Sequence, residues 1–324
     1  MQTNRIVKAP FPYFGGKSRI AEKVWEYFGK DIKHYIEPFF GSGAALLAKP
    51  PELRDVLVTV NDASAFVCNF WRAIKQAPED VATHAYYPMS EIDLFARQNW
   101  LVEQKENLIN KLLENPNYYD AKIAGWWVWG MCSWLGSRFC EKLIKRNPES
   151  PMKIQRKINL SRIGDGILGA SVANPFLGKL EITNGENNIE DDREDRLLRW
   201  FGILSNVFRH ARICYGDFER VLEPCILSSR KCTGDTVAIF LDPPYLGQYR
   251  KRALYEVDSM DVAKRVEKWC KEHQDDKRLR IALCGYEGDY DLPNWDIIEW
   301  KGRGISRSQN NEKERIWCNR SSNL

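Results

Sequence analysis

Short apolar runs that stop abruptly at Gly, Pro or Asp lie near both ends of this chain, and long helical patterns replace them in the middle. A strand covered on both faces reads as such a run, so the pattern predicts one α/β sheet built from two separated pieces with another unit inserted between them. The strand candidates are His34–Glu37, Val56–Val60, Arg212–Tyr215, Thr236–Leu241, Leu279–Leu283, Asp296–Trp300 and Arg315–Cys318, seven in all. Helices are expected over Ser18–Phe28, from Ala44, over Ile92–Leu113 and over Ser259–His273. In the last, Val262, Val266 and Trp269 share a face while Lys264, Arg265, Glu267 and Lys268 stay outside. The pieces divide near 76 and 200, giving 1–75, 76–200 and 201–324.

The 324 residues suffice for two domains with real cores. Lys and Arg total 48 against 44 Asp and Glu, which excludes a uniformly cationic coat but leaves room for a locally basic groove. The sign varies along the chain: residues 138–162 hold eight Lys or Arg against two acids, and residues 186–195 hold six acids against one Arg. Nine Cys form no CxxC pair, and the four His are scattered, so buried thiols are expected and no metal site. The apolar stretch Ala121–Leu135 is too short for a comfortable membrane span and suits a packed helix or an aromatic-lined groove, making a soluble cytoplasmic protein the default.

Five short elements carry chemistry. Asp242-Pro243-Pro244-Tyr245 follows the apolar run Val237–Leu241, at the strand end where a ligand crevice opens in an α/β sheet. The prolines fix φ and lack amide donors, Asp242 offers a carboxylate and Tyr245 an aromatic face, a set that can grip a planar amine. Glu37-Pro38-Phe39-Phe40-Gly41-Ser42-Gly43 joins a short strand to a helix, and its glycines allow close backbone approach. It is neither a GxGxxG fingerprint nor a phosphate loop. Asp62, about twenty residues past Gly43 and just beyond the next strand, is placed to accept from ribose hydroxyls. Phe11-Pro12-Tyr13-Phe14-Gly15-Gly16-Lys17-Ser18 sets a glycine pair and a cation beside the first helix, where Lys17 could neutralise a carboxylate. Tyr215-Gly216-Asp217-Phe218 adds another strand-end carboxylate with an aromatic neighbour.

Together and in this order, these elements resemble the Dam-like adenine-N6-specific DNA methyltransferases (D12 class), including phage-type members. The likeness rests on PYFGGK at 12–17, IEPFFGSG at 36–43, Asn61-Asp62, YGDF at 215–218 and DPPY at 242–245; WVWGMCSWLGSRFC at 127–140 is similar to the middle of phage-type members. The resemblance implies an α/β fold: a seven-stranded, Rossmann-like, S-adenosylmethionine-dependent methyltransferase sheet, with residues 76–200 as an inserted, mainly helical target-recognition domain. It also implies that Tyr13, Gly15, Gly16 and Lys17 enclose the cofactor's methionine end, that Glu37, Phe39, Gly41 and Gly43 line its loop, and that Asp62 holds the ribose. Asp217 would accept from the cofactor's adenine with Phe218 beside its ring. The catalytic set would be Asp242, Pro243, Pro244 and Tyr245, with Tyr249 and Tyr255 closing the pocket.

The activity implied is site-specific transfer of a methyl group from S-adenosylmethionine to adenine N6 in double-stranded DNA, after the base is flipped out of the duplex. Cytosine-N4 or RNA-adenine methylation, or a catalytically silent nucleic-acid-binding relative, are the alternatives; Asp at 242 favours adenine, since many cytosine-N4 relatives carry Ser there. DNA contacts are expected from Arg138, Lys142, Lys145, Arg146, Lys153, Arg156, Lys157 and Arg162, with a second basic stretch at Lys301, Arg303, Arg307, Lys313 and Arg315. The reading admits a cognate restriction enzyme encoded separately, as in restriction-modification, and leaves oligomeric state open.

Overall fold

The computed structural model describes residues 8–13, 17, 20–88, 90–134, 139–140, 193–227, 235–245, 260–299 and 314–320. The chain forms two compact units. The first takes in Gly15–Ala63 and His210–Leu324 together with Met1–Ile6, and the second Val7–Phe14 and Ser64–Arg209.

In the first unit, β1 (Ile32–Glu37), β2 (Leu57–Asp62), β3 (Arg212–Tyr215), β4 (Thr236–Leu241), β5 (Leu279–Tyr286), β6 (Asp296–Glu299) and β7 (Glu314–Cys318) form a seven-stranded mixed sheet. Its order is β3-β2-β1-β4-β5-β7-β6. The five strands from β3 to β5 run parallel, and β7 is antiparallel to both β5 and β6. All seven expected strands are present, each within a few residues of its predicted limits. Strand β4 reads as an unbroken apolar run because both its faces are covered, and it is buried from Val237 to Leu241. The edge strand β6 exposes Ile297 and needs no such run.

Helices α1 (Ala21–Phe28), α2 (Ala44–Leu47), α8 (Pro224–Leu227) and α9 (Met260–His273) belong to this unit. One face of α9 buries Ala263, Val266, Trp269 and Cys270 in a core shared with Ile239, Leu241, Ile281, Leu283 and Trp317. Burying each of the larger side chains is worth about 1.5–3 kcal/mol. Asn319 fastens the end of β7: its side chain accepts from the Ile281 amide (2.7 Å) and the Tyr27 hydroxyl (2.6 Å) and donates to the Leu279 carbonyl (2.9 Å).

The second unit is helical: α3 (Ala65–Gln76), α4 (Pro78–Ala85), α5 (Glu91–Glu114), α6 (Ala121–Ser133) and α7 (Arg193–Phe208). Its core is aromatic, with Phe11 edge-on to Phe70 and Trp127, and Trp71 stacked on Phe208 at 4.3 Å. Asp120 caps α6 by accepting from the Ile123 amide at 2.8 Å, and Asn69 on α3 pairs with both backbone groups of Asp120. Gly125 lets α6 approach α4 closely, since a Cβ there would lie 2.4 Å from that of His84. The stretch read as a packed helix is thus α6, with Trp127 and Trp129 buried. Among the described residues no helix is long and apolar enough to cross a membrane, and no group of three or more His, Cys, Asp or Glu could hold a metal ion.

Candidate active site

Parallel strands deliver their C-terminal ends to one edge of the sheet, and there each of four neighbouring strands presents a carboxylate. Asp217 lies just past β3, Asp62 ends β2, Glu37 ends β1 and Asp242 follows β4. A fifth, Glu314, opens the antiparallel β7 at the same edge, in register with Tyr286 at the end of β5. The order reverses between β1 and β4, which pair directly, so Glu37 and Asp242 flank the switch point where α/β sheets bind ligands.

Asp242 is held on two sides. The Lys17 ammonium lies 3.1 Å from Oδ1, and the Tyr245 hydroxyl donates to the same oxygen at 3.1 Å. Lys17 is itself only 2% exposed and sits 5.1 Å from the centre of the Tyr245 ring, whose edge meets Tyr286 at 4.8 Å. Burial raises the Asp242 carboxyl above its ordinary range, opposed by Lys17 and Tyr245. Glu314 is also pushed up by burial and by Asp242, with Lys17 opposing; its Oε2 is buried with no hydrogen-bond partner among the described residues.

The loop after β1 is shaped by glycine. Gly41 (φ 48°) and Gly43 (φ 69°) take the left-handed conformation that other residues adopt only under strain. This turn carries the Gly41 amide to Asp62 Oδ2 at 2.8 Å. Asn61 supports it from below, donating to the carbonyls of Pro38 (3.1 Å) and Gly216 (3.0 Å) and so tying the ends of β1, β2 and β3 together. Glu37 is 3% exposed and accepts from the Tyr35 hydroxyl at 2.8 Å. Burial drives its carboxyl well above the ordinary range against that bond, and Asp242 and Asp62 push it the same way.

At the β3 end, Phe218 stacks on Phe39 at 5.3 Å. Asp217 accepts from the Glu219 amide at 3.0 Å and from both Nη atoms of Arg265 at 3.0 and 2.8 Å. Burial raises this carboxyl, but Arg265 and the Glu219 amide outweigh it and hold it below its usual range. Arg265, expected on the outer face of α9, turns back over the Phe218 ring at 4.9 Å.

The first unit therefore gathers Lys17, Glu37, Phe39, Gly41, Gly43, Asp62, Asp217, Phe218, Asp242 and Tyr245 along one sheet edge, with Pro243 and Pro244 between the last two. Tyr13 belongs to the second unit. Gly15, Gly16, Tyr249, Tyr255 and the basic residues from Arg138 to Arg162 lie outside the described residues. So does the second basic stretch except Arg315, which pairs with Glu287 at 3.2 Å and Glu299 at 3.8 Å. Sequence reasoning missed Glu314, Tyr286, Asn61's bracing role and Arg265. Glu314 is hidden in a charged run and signalled only by the apolar strand that it opens.

A seven-stranded mixed sheet of this order, with acidic strand ends around a glycine loop, is the Rossmann-like methyltransferase fold. Residues 13–122 match the family model of the D12 class N6 adenine-specific DNA methyltransferase, a span that begins within PYFGGK at Tyr13 and holds the IEPFFGSG and Asn61-Asp62 elements. The match supports a Dam-like adenine methyltransferase, an enzyme that acts on DNA. No curated protein matches the chain.

Proposed function

We propose that the protein transfers a methyl group from S-adenosylmethionine to the N6 amine of an adenine flipped out of double-stranded DNA, at a specific site. The observation that carries this reading is Asp242: a half-buried carboxylate at the β4 end, beside the switch point, fixed by Lys17 and Tyr245. Methyltransferases generally use S-adenosylmethionine, which when bound supplies a methyl group on a positively charged sulfur. The residues suit such a group. Carboxyl groups at the ends of β1, β2, β3 and β4 give the described edge several hydrogen-bond acceptors, which suits the amine and hydroxyl donors of such a group. Gly41 and Gly43 leave the backbone bare for close approach, and Asp62 lies at the strand end suited to ribose hydroxyls.

In this reading Glu37, Phe39, Gly41 and Gly43 line the cofactor loop, Lys17 and Asp62 bound it, and Asp217 with Phe218 receives the adenine ring. Tyr13, Gly15 and Gly16 complete the enclosure. Asp242 and the Pro243 carbonyl accept the two hydrogens of the target amine, which favours a pyramidal nitrogen and offsets the charge that grows there. Pro244 keeps that carbonyl's direction fixed. Tyr245 offers its ring to the extruded base, offsetting part of the unstacking cost. Residues 76–200 serve target recognition, with Arg138, Lys142, Lys145, Arg146, Lys153, Arg156, Lys157 and Arg162 on phosphates. The protein works in the cytoplasm, alone or beside a separately encoded restriction enzyme.

Methylation of a mixed-sequence duplex pool, followed by mapping of modified bases, tests the reaction. Asp242→Asn is expected to lose at least about 100-fold in turnover, the scale for removing a group that stabilises developing charge, while cofactor titration stays near wild type. Wild-type turnover in that variant would overturn the assignment.

A further inference from the structure

Arg97 on α5 differs from Arg265, Arg278 and Arg280. Arg265, Arg278 and Arg280 each meet a carboxylate within 3 Å. Arg97 on α5 meets aromatic rings instead: its guanidinium carbon lies 4.1 Å from the centre of Tyr87, 4.4 Å from Trp129 and 5.1 Å from Trp126. The residue is 8% exposed, and its Nη1 is buried with no hydrogen-bond partner among the described residues, as is the indole nitrogen of Trp126. Burial pulls its pKa down; Asp93, one turn earlier, and the Tyr87 hydroxyl act the other way, but among the described residues no carboxylate forms an ion pair with it. Aromatic faces attract the cation and fix its plane without satisfying an N–H. A desolvated guanidinium left this way is costly unless an acceptor arrives.

A second cation stands on the same indole. Lys122, at the start of α6, places its ammonium 4.4 Å from the centre of Trp126 and 4.6 Å from Trp100, and it too has no ion pair among the described residues. Helical spacing explains the cluster: Arg97 and Trp100 are three apart on α5, and Lys122, Trp126 and Trp129 follow at four and three on α6. A rigid planar fork and a mobile point charge on one platform match a phosphodiester, which accepts through two oxygens.

We propose that Arg97 and Lys122, mounted on Trp126, form a phosphate anchor for the DNA backbone in the second unit. The proposal rests on the DNA-methyltransferase reading but uses none of its catalytic residues. The test is duplex binding by the full chain across a salt series, with Lys122→Gln, Arg97→Gln and Arg97→Lys compared with wild type. Each lost phosphate contact lowers the slope of log affinity against log salt by about 0.9, so Lys122→Gln and Arg97→Gln should each lose about that much. Arg97→Lys keeps the charge, so its slope should stay near wild type while affinity falls. Lys122 is exposed, so its variant carries the test even if Arg97→Gln fails to fold. Wild-type slope and affinity in Lys122→Gln would overturn the anchor. Quenching of tryptophan emission by inorganic phosphate, with duplex slopes unchanged in the variants, would make this a small-anion site and overturn the DNA assignment. A wild-type protein that neither binds nor methylates duplex would refute the underlying reading as well.

Discussion

Replacing Lys17 by Met removes the buried counter-charge of Asp242 and leaves a shape of similar length. At 3.1 Å and an effective dielectric of ~20, Coulomb's law gives about 5 kcal/mol for the pair, in line with the roughly 3–5 kcal/mol lost when one partner of a buried ion pair is deleted. The loss must depend on pH. The Asp242 carboxyl is already raised in the folded protein, so between the ordinary value of 3.8 and its own the folded state holds a proton that the unfolded state has released, and stability falls as pH rises through that window. Without Lys17 the window extends further upward. Lys17→Met should therefore unfold at much lower urea than wild type at pH 8 and close to it near pH 4, with turnover lost. Asp242→Asn on the Lys17→Met background should recover most of the stability and none of the activity. An equal deficit at both pH values, or a double variant as weak as the single, would refute the argument.

Three further outcomes are expected. His34 is fully buried with its pKa depressed to about 4 by burial, so the unfolded chain takes up a proton that the folded one refuses; about 3 kcal/mol of stability should disappear as pH falls from 6.5 toward 4, and urea titrations of His34→Gln should show a flatter profile there. Gly125→Ala should destabilise the helical unit by about 1–3 kcal/mol through the clash with His84, read as a lower thermal midpoint. Asp242→Asn removes a negative neighbour of Glu314 and should bring the Glu314 carboxyl down toward its ordinary range, read from its NMR titration; an unmoved titration would exclude electrostatic coupling between them.

Part of the sheet was legible because burial on both faces leaves its mark in β4, where Val237–Leu241 is apolar throughout. The insertion of β7 between β5 and β6 was not, since strand order is decided by pairing partners far away in sequence. The same division holds for the site. Asp242, Glu37, Asp62 and Asp217 announced themselves at the ends of apolar runs. Lys17 was expected to neutralise a carboxylate, but that Asp242 supplies one could be known only once β4 lay beside β1. Arg265 sits among charged residues at an outward helical spacing, and only its long side chain allows it to return to Asp217.

The placement of β7 also bears on how the enzyme is made. Lys17 leaves the ribosome before Asp242, which emerges only after α3 to α7, yet each depends on the other for charge. The strand that brings Glu314 must then slip between two others after both exist. Pairings of such separation form slowly. A growing chain thus waits for β4 to balance Lys17 and for β7 to fill the place between β5 and β6, so the sheet edge that carries Asp242 and Glu314 is completed late.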